Sequence, residues 1–158
     1  MTLDPVVDYF EKTVKPTVNE FLKDKTDIRR GRIAAIVLYH MDDYVRENGY
    51  GNPTNSLLGS DKMLYQAVKA AANATKHFRL RKEHIAMAAS QVIAEDNPGL
   101  FDAPFGEGVF AESNEVHLEL DKPETIDGLV YEKVNLATAI TFVFGFWEQK
   151  IINFEIGT

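Results

Sequence analysis

Cysteine is absent from this chain of 158 residues. That excludes disulfides, thiolate metal sites and a cysteine nucleophile. It fits a reducing compartment, and we expect a cytoplasmic protein. No apolar run is long enough to cross a bilayer. The longest, LATAITFVFGFW, covers only Leu136 to Trp147, against the ~20 residues a spanning helix needs. We expect no membrane association and read that run as a buried helix or a subunit interface. The N-terminus, MTLDPVVDYFEK, carries acidic residues where a signal peptide has a basic region and an apolar core, so no export signal is expected. Familiar site motifs are missing too. There is no glycine-rich phosphate loop, no Gly-x-Ser-x-Gly elbow and no His-Glu-x-x-His. Positive charge is in short supply. The formal net charge is -7, which argues against broad, nonspecific binding to nucleic acid or anionic membranes.

What is present belongs to an ordinary globular protein. Apolar residues make up 45% and charged residues 26% of the chain, and the length suits one domain with its own core. There is no internal repeat. Asp4 and Pro5 open a helix whose apolar positions are Val6, Val7, Phe10, Val14, Val18, Phe21 and Leu22. Pro16 is expected to bend or break it. Asp27 opens a second helix with the stripe Ile33, Ile36, Val37, His40, Met41 and Tyr44. After the loop GYGNPTNSLLGS, Ser60 or Asp61 caps a third. Its small face, Ala67, Ala70, Ala71 and Ala74, invites close approach by the second helix or by another subunit.

The periodicity then changes. His84 to Ile93 reads as a strand, and NPGLFDAPFGEG as a loop. VHLEL alternates like a half-buried strand, KPETIDG makes a turn, and LVYEKV returns beside it. Asn135 caps a last helix reaching about Ile152. The predicted fold class is α+β. It is a mostly helical bundle of four to five helices with a small antiparallel sheet inserted before the C-terminal helix. It forms one domain over 1–158, with a helical part (4–80), a β and loop part (84–134) and a C-terminal helix (135–152).

Two constellations carry candidate chemistry. In YHMDDY, His40, Asp43 and Glu47 share a helix face. With His77 they would form a divalent-metal set of two imidazoles and two carboxylates, of the kind helix bundles build between facing helices. The alternative for His40 is a core histidine held by a neighbouring helix. In AANATKHFRLRKEH, Asn73 and His77 lie at i and i+4 and join His40 and Asp43 as catalytic candidates. Lys76, Arg79, Arg81 and Lys82 form a basic burst. It either complements the helix dipole or makes a binding rim for phosphate. Arg32 reads as a surface ion-pair residue or an anion contact.

The Asn73–His77 segment resembles the motif helix of the HEPN superfamily, in which an Arg and a polar residue are followed by three residues and then a His. Asn73 and His77 match the polar residue and the His, whereas Ala72 stands at the Arg position. YHMDDY and NATKH on successive helices also resemble small bacterial and phage proteins. The resemblance implies a homodimeric helical domain. Because the family's Arg and His serve the scissile phosphate together, Ala72 implies a catalytically degenerate member, unless Arg79, Arg81 or Arg32 substitutes. The function expected on this basis is binding of a protein or RNA partner. The alternatives are a metal-binding helical-bundle enzyme and a structural assembly module.

Overall fold

The computed structural model describes residues 4–77, 80, 84–94 and 114–156. The first helical rod runs as α1 (Pro5–Tyr9), a π-helical turn (Phe10–Val14) and α2 (Lys15–Lys23). The Asp4 carboxylate caps it by accepting from the Val6 N–H at 2.8 Å. Pro16 therefore neither ends the rod nor breaks it in two. Proline has no N–H to give and its ring crowds the carbonyl four residues back. The turn before it widens to i→i+5 bonding, with the Lys15 N–H on the Phe10 carbonyl.

The rod is followed by α3 (Ile28–Tyr39) and α4 (Met41–Glu47), then a 3-10 turn (Pro53–Ser56) and α5 (Gly59–Lys76). Asp27 caps α3 as the sequence suggests, accepting from the Arg30 N–H at 3.0 Å. Helix α5 starts two to three residues earlier than expected. Leu58 stands at its cap and no side chain bonds there, so neither Ser60 nor Asp61 is the cap. A 3-10 turn (Ala89–Gln91) leads into β1 (Val92–Ile93), and β2 (His117–Ile126), β3 (Leu129–Asn135) and α6 (Leu136–Ile156) complete the chain. The architecture is α+β, with the antiparallel sheet ahead of the last helix.

Helices α3, α5 and α6 form the centre, with α5 packed against both α3 and α6. Ala67, Ala70, Ala71 and Ala74 of α5 are fully buried, so the small face meets helices of its own chain. The facing surface of α3 corrects the expected stripe. Its buried residues are Gly31, Ala34, Ala35 and Leu38, while Ile33 is 40% exposed. Gly31 shows why small residues win here. A Cβ on it would lie 3.0 Å from Leu136 Cδ2 and 3.0 Å from Phe21 Cε1. In α6, Leu136, Ile140, Val143 and Trp147 are buried. The apolar run therefore serves the chain's own core.

The sheet is a three-stranded antiparallel meander in the order β1-β2-β3. Of the expected strand over 84–93, Val92–Ile93 forms β1 and Ala88 makes an isolated bridge. The hairpin turn is also tighter than KPETIDG suggested. The ladder runs to Ile126 opposite Leu129, leaving Asp127 (φ 52) and Gly128 (φ 79) as a two-residue loop. An Asp-Gly pair with both φ positive matches the twist of the flanking strands. The four residues KPET lie in β2 rather than in the turn. Between Glu119 and Glu124 the register shifts. Leu120 to Pro123 stand opposite Glu132 alone, and Pro123 has no N–H for the ladder. The NPGLFDAPFGEG segment lies outside the described residues. At the far end Asn135 caps α6, accepting from the Thr138 N–H at 2.9 Å.

Candidate cleft along helix α5

Helix α5 carries Lys62, Gln66, Lys69, Asn73 and Lys76 at steps of four, three, four and three residues. That spacing keeps all five on one face, opposite the alanines that enter the core. Lys62, Gln66 and Lys69 form one wall of an open cleft of about 820 Å³, with Met63 beside them. Ile85 and Met87 line it from the segment before the 3-10 turn, and Lys122, Glu124 and Ile126 from β2. The bulge in β2 carries Lys122 out of the ladder's regular alternation.

Gln91 fixes the second wall. Its carbonyl accepts the N–H groups of Met87 and Ala88, each at 2.8 Å. Its amide N–H groups donate to the Glu119 carbonyl at 3.0 Å and to Asp121 Oδ1 at 2.7 Å. The Asp121 N–H also donates to the Ile85 carbonyl at 2.8 Å. One amide side chain thus ties the 84–88 segment to β2. Replacing Gln91 with alanine orphans two backbone donors and is expected to lower stability by about 1–2 kcal/mol. Hydrogen exchange checks this. The Met87 and Ala88 amides should exchange faster in the variant, while amides in α3 keep their protection relative to global stability.

The charges are unevenly satisfied. Asp121 bonds to Gln91. Among the described residues, none of Lys62, Lys69 or Lys122 forms an ion pair with a carboxylate. Lys69 also acts on Asp42, whose ionisation its charge favours. Asp42 accepts hydrogen bonds from the Tyr65 hydroxyl and from Thr54 Oγ1 at 3.1 Å. Burial outweighs these partners and holds the Asp42 carboxyl above its ordinary range.

The polar candidates from the sequence separate. His40 is a joint, ending α3 and preceding α4. Its Nε2 lies 2.9 Å from Lys76 Nζ. An ammonium only donates, so Nε2 is the bare nitrogen and Nδ1 carries the proton. Lys76 also lies over the Tyr39 ring, 5.8 Å from its centroid. Desolvation first, and the Lys76 charge second, depress the His40 pKa, with Asp43 opposing them. Folding therefore stabilises neutral His40. That contribution is present above the ordinary imidazole value and is lost as pH falls through the lower folded value. Replacing Lys76 with glutamine is expected to move the His40 titration upward, read from its imidazole proton shifts by NMR. An unchanged titration would mean that the Lys76 charge does not act on His40.

Asp43 and Glu47 are exposed, and both pair with Arg46, at 2.6 and 3.5 Å. Among the described residues no group of three or more His, Asp or Glu side chains is placed to hold a metal ion. His40, Asp43, Glu47 and His77 therefore do not form the four-ligand set. Asn73 and His77 are not neighbours on a helical face either. His77 leaves the helix at φ -126, ψ 70, and only its backbone N–H reaches the Asn73 carbonyl, at 3.0 Å. Ala72, at the position of the family's Arg, is fully buried. Of the basic burst, Lys76 is exposed at the end of α5, whereas Arg79, Arg81 and Lys82 lie outside the described residues. Arg32 makes a tertiary tie, donating to the Ala89 carbonyl at 2.7 Å, rather than a surface ion pair.

Sequence reasoning missed Lys62, Lys69, Gln91, Lys122 and the Asp42–Tyr65 pair. The first two were within reach, because Lys62, Lys69 and Lys76 recur every seven residues. Among the described residues no helix is long and apolar enough to cross a membrane. Comparison with known proteins finds no matching family model, no matching curated protein and no matching solved structure.

Proposed function

We propose that this protein is a non-catalytic binding domain that engages an anionic partner through the cleft along α5. The observation that carries the proposal is the set of three lysines, Lys62, Lys69 and Lys122, with no ion-pair partner among the described residues and facing one cleft. The lining also holds Asp121 and Glu124, yet three lysines against two carboxylates, in a protein of net charge -7, still favour a negatively charged ligand at this place. The HEPN-like, degenerate reading is compatible with it. An Arg at the Ala72 position would have to enter the core, and His77 leaves helical geometry at the end of α5, which supports the non-catalytic reading. The homodimer rests on the resemblance alone, since α6 buries its apolar run within one chain.

Poly-L-glutamate, titrated calorimetrically at low and high salt, tests the binding role. Wild-type protein should bind it, and the affinity should fall as salt rises. The double reversal Lys62→Glu with Lys69→Glu should remove most of the heat. Binding that is equal in the double variant, or absent at low salt, would contradict the proposal.

A further inference from the structure

We infer that the occupant of this cleft is an extended peptide segment of a protein partner, acidic and apolar by turns. The inference rests on the cleft being the binding site, and it concerns what enters it. The cleft is not only cationic. Met63, almost fully buried, lines it together with Ile85, Met87 and Ile126. Methionine is flexible and adapts to differently shaped apolar side chains. A ligand that satisfies the whole surface needs an apolar body together with separated negative charges.

Spacing and composition narrow the class. Lys62 and Lys69 are two helical turns apart, ~10.5 Å along the axis of α5. An extended chain covers that distance in about three residues. Two carboxylates two to four residues apart would therefore meet both lysines, given the reach of the lysine stems. In a strand, side chains alternate between faces. Acidic residues can then face the lysines while their apolar neighbours enter the lining. Nucleic acid fits less well. Among the described residues the one ring in the lining is the His84 imidazole, so a run of unstacked bases would lack the series of platforms that single-strand binders use. A duplex would place its phosphates on the lysines and leave the Met and Ile side chains uncovered. Gln66, between the two lysines on the same wall, can donate to and accept from a peptide backbone.

The test is fluorescence anisotropy with three labelled probes on the full chain. One is an eight-residue peptide alternating Glu and Leu. The second alternates Glu and Ser, and the third is oligouridine of equal charge. The Glu-Leu peptide is expected to bind at least roughly tenfold more tightly than either other probe, and to lose roughly tenfold on Lys62→Glu with Lys69→Glu. Lys122→Glu should weaken it from the other wall. Lys12→Glu, a reversal on the first helical rod, should leave it unchanged, and circular dichroism checks that each variant is folded. Equal binding of the two peptides would overturn the apolar part of the inference. Tighter binding of oligouridine, sensitive to the same lysines, would overturn the peptide and keep the cleft. No binding of any probe, or binding indifferent to all three lysines, would overturn the cleft itself.

Discussion

Replacing Trp147 with alanine is expected to cost about 3–5 kcal/mol, the range for deleting a large buried aromatic side chain. Trp147 is the chain's single tryptophan and is fully buried in α6, with Phe146 packed edge-on at 5.0 Å between ring centroids. A domain of this size is stable by only about 5–15 kcal/mol, so the variant should be close to unfolding at moderate urea. Phenylalanine at the same position should cost much less. The Trp147 indole N–H is buried with no hydrogen-bond partner among the described residues, and removing an unsatisfied donor offsets part of the lost volume. Urea melts followed by circular dichroism separate the two variants, since tryptophan fluorescence disappears in both. A loss below about 1 kcal/mol for alanine would mean that α6 is not central to the core.

Replacing Tyr65 with phenylalanine is expected to cost about 1.5–3 kcal/mol near neutral pH, because the Tyr65 hydroxyl bonds to a half-buried carboxylate. Neutralising that carboxylate is the sharper test. Burial raises the Asp42 carboxyl in the fold. A group raised in this way favours folding below its unfolded value, and that contribution is lost as pH rises through the folded value. Ionising Asp42 therefore works against the fold. The Asp42→Asn variant keeps an oxygen for Tyr65 and carries no charge at this position. It should match or exceed wild-type stability at neutral pH, and the advantage should vanish under acidic conditions. Thermal melts across that range check the sign. An advantage that grew as pH fell would contradict the burial argument.

Much of the fold was legible because its determinants are local. Asp4, Asp27 and Asn135 cap helices by bonding the backbone two or three residues ahead, and a cap is read from a few neighbouring letters. The misreadings share a different cause. Amphipathic periodicity favours large apolar side chains, so it put Ile33 in the core. Close helix packing instead selected Gly31, Ala34 and Ala35 for their lack of bulk. KPETIDG looked like one long turn because Pro and Gly punctuate local structure. Tertiary pairing absorbed Pro123 in a bulge and left Asp127-Gly128 to turn alone.

The site was less legible than the fold. Lys62 and Lys69 are written in the sequence at a regular interval, yet the basic residues from Lys76 onward are denser and dominate any local count of charge. Lys122, Ile85 and Met87 reach the cleft through contacts between distant segments, held by Gln91. No local pattern announces such a hub. His40 and Asp43 looked like a shared helix face, but His40 is the joint between two helices and turns to Lys76. Asp42, one letter away, holds the more buried carboxylate of the pair.

That the cleft along α5 is where this protein binds is tested most directly by a chemical-shift map. The ¹⁵N-labelled protein would be titrated with the Glu-Leu peptide, and every amide followed. Changes are expected to concentrate at Lys62, Gln66, Lys69, Ile85, Met87 and Lys122. Changes centred instead on Lys76 and His77, or on the exposed hairpin residues Leu129 and Val130, would contradict binding in the cleft.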